Sequence, residues 1–277
     1  MKKYILIYAF AALLISCNGG ENTPQQKQSI LFNINTFSQT TLPMHAPQAA
    51  ILDDEEGTAL TDLFVFDGQT QLAHQTSDAD DFGIIKLELT HGKHNLSFIC
   101  TRSSGIEFAD GIMTFSSVRS TFGKLIELEV SSSTPAQDIT LDRISGQMTI
   151  TINDAFPNNA AEIEFVINPR YTKLNVTSLQ AVDGDEWSQK VSCTSKAGQS
   201  GVSYTFNHIC PSLIAETEAE VTINIYNASG SILYTVNIPK VRLAANTKTL
   251  LSGNLFNSQS ITINTNTSWN ESISQSW

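Results

Sequence analysis

Glu220-Val-Thr-Ile-Asn-Ile-Tyr-Asn227-Ala-Ser-Gly230-Ser-Ile-Leu-Tyr-Thr-Val-Asn-Ile238-Pro239 is the stretch that decides the fold. Val221, Ile223 and Ile225 alternate with polar residues on one side of it. Ile232, Tyr234, Val236 and Ile238 do the same on the other. A period of two places each apolar set on one face of an extended strand. Asn227-Ala-Ser-Gly230 between them has turn chemistry, with an Asx side chain able to cap its own backbone and a glycine free to adopt positive φ. The segment therefore predicts an antiparallel hairpin with one buried face. Pro239 has no N–H to donate and is expected to end the pairing.

The same alternation runs outward in both directions. Gln147–Asn153 sets Met148, Ile150 and Ile152 against Thr149 and Thr151, and further strands are expected at 162–167, 173–176, 179–182, 186–194 and 202–206. In the first half the strand candidates are 30–37, 62–66, 71–76, 84–89, 95–100 and 124–130. Asp67-Gly68 and Thr90-His91-Gly92-Lys93 each read as a hairpin turn. Residues 38–59 read as a long loop with an acidic knot, Asp53-Asp54-Glu55-Glu56, and 101–123 as either a short helix or a loop insert. Ser131-Ser-Ser-Thr-Pro135 is small, polar and ends in proline, which is the composition of a boundary. The strand at 138–143 either closes the first unit or opens the second. Closely spaced strands with turn signals point to an all-β architecture of two β-sandwich domains, residues 29–137 and 138–277.

The chain starts Met1-Lys-Lys-Tyr-Ile-Leu-Ile-Tyr-Ala-Phe-Ala-Ala-Leu-Leu-Ile-Ser-Cys17. Lys2 and Lys3 form a basic n-region. Ile5–Ile15 is an uncharged apolar run, shorter than the about 20 residues a bilayer span requires, so it reads as a signal peptide. Leu14-Ile15-Ser16-Cys17 resembles a bacterial lipobox, in which a small residue precedes the cysteine that is lipidated. The expectation is cleavage after residue 16, lipid on Cys17 and a tether over 17–28, which lacks hydrophobic side chains beyond the cysteine. Several acyl chains, at about 0.8 kcal/mol per buried CH2, would hold the protein on a membrane. Acidic and basic residues make up only 16% of the chain against the about 25% usual for soluble domains; Ser, Thr and Asn fill the gap, as in extracellular β-proteins. The formal net charge of −11 argues against nucleic acid as a partner, since an acidic surface repels phosphates.

Cys17 apart, Cys100, Cys193 and Cys210 remain. Cys193 and Cys210 could pair if their strands are neighbours; otherwise all three are buried thiols acting as small hydrophobes. No spacing suggests zinc. There is no GxSxG, HExxH, P-loop or strand-borne GxGxxG, so no catalytic residue, metal or cofactor is expected. His91 and His94 flank a Gly-Lys turn, and Asp78, Asp80 and Asp81 lack the glycine and closing glutamate of a calcium loop. Trp187, Trp269 and Trp277 could form a sugar-stacking platform, although aromatics in sandwiches more often serve the core or cross-strand pairs.

The C-terminal segment keeps its pattern to the end. Odd positions carry Ile261, Ile263, Trp269, Ile273 and Trp277, and every even position from 262 to 276 is Thr, Asn or Ser. Termini usually lose such order, so this one reads as a strand meant to be paired. Together with the lipobox, Leu63-Phe64-Val65-Phe66-Asp67, Leu89-Thr-His-Gly92-Lys-His-Asn-Leu96, Leu141-Asp-Arg143 and Thr249-Leu-Leu-Ser-Gly253-Asn-Leu255-Phe256 resemble the fimbrillin superfamily of type V pili in Bacteroidales. His94 stands where that family usually has Tyr, and Phe98 lies near the position of its common Trp.

The resemblance implies two tandem transthyretin-like, Greek-key sandwiches and assembly by strand exchange, with Ile261, Ile263, Trp269, Ile273 and Trp277 as the strand-exchange face. It implies other fimbrial subunits as partners, outer-membrane lipid through Cys17, and a host or bacterial surface ligand as a further candidate. Stalk subunits of the family are cleaved after an arginine, for which Arg102, Arg119 and Arg143 are the candidates here; anchors stay uncleaved and lipid-bound. The expectation is a non-enzymatic, lipid-anchored fimbrial subunit or anchor in the outer membrane, supporting adhesion. The rival reading is a surface glycan-binding lipoprotein of a polysaccharide-uptake system.

Overall fold

The computed structural model describes residues 26–36, 58–257 and 260–266, the last segment as backbone only. The first half supplies β1 (Lys27–Asn35), β2 (Asp62–Asp67), β3 (Thr70–Thr76), β4 (Ile84–Thr90), β5 (Gly92–Thr101), β6 (Ser104–Ala109), β7 (Ile112–Ser117), β8 (Thr121–Val130), β9 (Gln137–Thr140) and β10 (Asp142–Arg143). The second supplies β11 (Ser145–Ile152), β12 (Glu162–Arg170), β13 (Lys173–Asn175), β14 (Gln180–Val182), β15 (Asp185–Ser192), β16 (Val202–Ile209), β17 (Thr217–Tyr226), β18 (Ile232–Leu243), β19 (Lys248–Asn254) and β20 (Ser260–Asn266). The fold is all-β; a single 3-10 turn at Thr194–Lys196 is the only helical element among the described residues.

Two sheets, β4-β1-β9 and β10-β8-β5-β2-β3, face each other across a core of Ile30, Phe32, Leu63, Val65, Leu96 and Phe98. Two more, β16-β11-β19-β20 and β15-β12-β17-β18, enclose Met148, Ile150, Phe165, Val221, Ile223 and Leu251. The pairing plan of the two halves is the same. β1 lies antiparallel to β4 and parallel to β9; β11 lies antiparallel to β16 and parallel to β19. β2 sits between β3 and β5 as β12 sits between β15 and β17.

Each half adds to the shared plan one inserted hairpin, β6–β7 before β8 and β13–β14 before β15, and one further strand, β10 in the first and β20 in the second. β7 and β13 pair with each other, so the insertions form a further sheet, β14-β13-β7-β6, built from both halves. Its side chains pack on Phe64 and Phe66 of β2 and on Ile99, Ile144 and Ile209. That explains the unbroken apolar run of β2. Leu63 and Val65 fill the first sandwich while Phe64 and Phe66 fill the layer beyond it, and all four are buried. A strand covered on both faces loses its alternation.

Several expectations are corrected. Residues 101–123 hold neither a helix nor a structureless insert but the β6–β7 hairpin, turning at Asp110-Gly111 with φ of 51° and 76°. Both turn residues at positive φ is the geometry whose twist suits a tight hairpin. Thr90–Lys93 is not a hairpin turn. It carries the chain across the sandwich, because β4 pairs with β1 in one sheet and β5 pairs with β2 and β8 in the other. Pro239 does not end its strand: β18 continues to Leu243 past a register shift between Ala219 and Val221, with Lys240 at φ 58°. β18 is an edge strand, where a missing N–H and a bulge are tolerated. Cys193 and Cys210 do not pair; with Cys100 they are buried free thiols. The 138–143 segment joins the first half, β9 beside β1 and β10 beside β8.

Candidate functional site

Of the residues expected to form the strand-exchange face, Ile261 and Ile263 lie on β20, at register positions opposite Gly253 and Leu251 of β19. Trp269, Ile273 and Trp277 lie outside the described residues, as does Cys17. β20 is the edge of its sheet, and its position has no counterpart beside β9 among the described residues. The approach to β20 is fixed by Asp154. Its carboxylate is largely buried and accepts backbone N–H groups from Leu255 at 3.0 Å, Phe256 at 2.7 Å and Asn257 at 3.0 Å. Phe256 packs edge-on against Phe156 and Tyr234, with ring centroids 5.2 Å away in each case. The segment between β19 and β20 is thus held both by a buried anion and by an aromatic cluster.

Several other groups singled out in the sequence have structural partners. His94 is buried, 2.6 Å from Asp67 through Nδ1 and 2.9 Å from the Thr90 carbonyl through Nε2. Burial opposes its charge, but those hydrogen bonds and the charges of Asp67 and Glu129 outweigh it and raise its pKa above the ordinary imidazole value. Asp78 accepts from Thr76, and Asp81 from the Gln75 carboxamide at 3.4 Å. No group of three or more His, Cys, Asp or Glu side chains among the described residues is placed to hold a metal. Trp187 is no open platform: the Arg170 guanidinium lies 3.7 Å from its ring centroid and Phe206 packs edge-on at 5.7 Å. Of the three arginines, Arg119 is exposed and Arg102 half-buried. Arg143 is buried over the Phe122 ring at 4.5 Å, with Nη1 donating to Ser120 at 2.9 Å.

The structure also brings together residues that no motif groups. A cleft of about 590 Å³ opens between β2–β3 and β6, lined by Asp62, Phe64, Gln71, His74, Arg102, Ser104 and Phe108 among others. The His74 ring stacks on Phe64 at 4.1 Å with 5° between planes, and its Nε2 donates to Asp62 at 2.9 Å. Phe66 continues the row at 6.4 Å from Phe64, and Phe108 meets Phe66 at 4.8 Å. The contributing segments are far apart in sequence and meet only because the β6–β7 hairpin folds back over β2.

No family model matches the chain, and no curated protein matches it. Solved structures do match. A candidate adhesin from Bacteroides ovatus aligns over 76% of this chain and 83% of its own, with a TM-score of 0.53 and 9% identity. The fimbrial anchor protein Mfa2 from Porphyromonas gingivalis is covered over 100% of its length and 91% of this chain, with a TM-score of 0.51 and 10% identity. This chain has the fold of Mfa2 and the Bacteroides adhesin. A candidate cell adhesion protein from Bacteroides eggerthii, with a TM-score of 0.51 and 9% identity over 89% of this chain and 98% of its own, shares it too. At such identities the likeness speaks for the fold alone.

Proposed function

We propose that this chain is a non-enzymatic, lipid-anchored member of the fimbrillin superfamily. In this reading it serves as a fimbrial anchor or accessory subunit on the outer membrane and supports cell adhesion. The observation that carries this reading is the alignment with the whole of Mfa2, a fimbrial anchor, over 91% of this chain. The lipobox ending in Cys17 supports attachment, and the alternating face Ile261, Ile263, Trp269, Ile273 and Trp277 supports assembly with other fimbrial subunits through an added strand. Among the described residues β20 is the edge strand of its sheet, the kind of position at which an added strand can pair.

Two variants in intact cells test the reading. Cys17→Ala should move the protein from the membrane fraction to the soluble fraction. Deleting Ser272–Trp277 should leave it folded and membrane-bound but reduce its crosslinking to pilus subunits. A Cys17→Ala protein that stays on the membrane, or a truncated protein that crosslinks as before, counts against anchoring or assembly respectively.

A further inference from the structure

The cleft between β2–β3 and β6 has the chemistry of a ligand site, and we infer that it binds a neutral oligosaccharide through a pyranose unit. This stands on the cleft itself and goes beyond the assembly role, since it requires no pilus partner. Its volume, about 590 Å³, falls within the range of about 300–1,000 Å³ common to ligand clefts and suits one or two sugar rings.

Hydrogen-bonding character selects the class. His74 donates to the Asp62 carboxylate through Nε2, which leaves Nδ1 as an acceptor when the ring is neutral. Thr61 Oγ1 donates to the same carboxylate at 2.8 Å. The orientation of the imidazole is therefore set twice over, by that carboxylate and by stacking on Phe64. The exposed Gln71 carboxamide adds two donors and an acceptor, and Ser104 adds a hydroxyl. A ligand that fits such a mixture both donates and accepts, as a polyol does and a phosphodiester does not. The formal charges lining the cleft, Asp62 and Arg102, are one of each sign, which favours a neutral ligand over an anionic one. Half-buried Phe108 and Ile106 supply the apolar surface on which the C–H face of a sugar ring can lie.

The full chain, held in a zwitterionic detergent without a sugar headgroup, is titrated with neutral tetrasaccharides of glucose, galactose, mannose and N-acetylglucosamine. Saturation-transfer NMR reads binding. At least one probe is expected to bind the unaltered protein. His74→Ala and Gln71→Ala, both at exposed positions, are each expected to weaken it about tenfold, while Ile232→Ala on distant β18 leaves it unchanged. Melting temperatures confirm that the variants fold. The inference is overturned if no tetrasaccharide binds, if binding survives both cleft variants, or if a glucuronate-containing tetrasaccharide displaces the neutral one.

Discussion

His208 is buried in the second half, its Nε2 without a hydrogen-bond partner, and burial together with the nearby charge of Arg170 lowers its pKa to about 3. The folded protein therefore keeps it neutral, while the unfolded chain binds a proton near pH 6.5. With the unfolded state taking up more protons, stability is full above pH 6.5 and falls as the pH drops. From pH 7 to pH 5 this one residue should remove about 2 kcal/mol. His94 has the opposite sign. Its raised pKa adds stability below about 6.5 that fades as pH rises through the folded value. Melting measured across pH 5–7 should show the net acid loss, and His208→Asn should flatten it. An unaltered slope in that variant would place the acid sensitivity elsewhere. Gly146 sits against the same ring: a Cβ there would lie 2.5 Å from His208 Nε2 and 2.5 Å from the Ala244 carbonyl, so no larger residue fits.

Among elements, the entry to β20 gathers three backbone N–H groups on a single carboxylate. Asp154→Ala removes the acceptor of three N–H groups; a hydrogen bond to a charged group nets about 1.5–3 kcal/mol, but the N–H groups of half-buried Phe256 and exposed Asn257 can turn to water instead. We expect a loss of about 2–4 kcal/mol and faster amide exchange across β19 and β20, with β1–β10 unchanged. Uniform exchange changes would show instead that Asp154 supports the whole chain. Elements of this kind were legible where one face is wet. The hairpin around Asn227–Gly230 alternates cleanly, and Asn227 Oδ1 accepts from the N–H groups of Ser229 and Ser231 as its sequence suggested. Residues 101–123 were not legible, because β6 and β7 take their meaning from β13, some sixty positions on. The crossover at Thr90–Lys93 misled because a turn sequence reports a change of direction, not which sheet the next strand enters. The cleft was hidden for the same reason as the shared sheet: Gln71, His74 and Phe108 meet only through tertiary folding.

For the whole molecule, the shared sheet changes what a domain boundary means. We propose that the halves divide near Ile144, and that they do not come apart when the connection is cut. Ser131–Pro135 is an exposed turn, yet the segment just after it returns to the first half through β9 and β10. A protease cutting within 131–135 should therefore yield two pieces that still elute together in native gel filtration. Met113 and Leu174, paired across β7–β13 and both buried, hold the layer between them. Because β9 and β10 also tie the second piece to β1 and β8, replacing both Met113 and Leu174 with Ala, at about 2–5 kcal/mol for each large-to-small change, should lower the temperature at which the cut pieces separate. Pieces that part without those substitutions would show the layer to be a weak contact.

The parallel pairs β1–β9 and β11–β19 also decide how the molecule answers a pull. Tension drawn between the N-terminal end of β1 and the chain leaving β9 slides the two strands along each other, loading all their hydrogen bonds at once, and the same holds for β11 and β19. β20 runs antiparallel to β19, so a tug on the chain beyond it opens that pair like a zip, one bond after another. The fold thus sets one contact that opens bond by bond, β19–β20, beside two that load their bonds together, so a pull across β20 should break the first before the others.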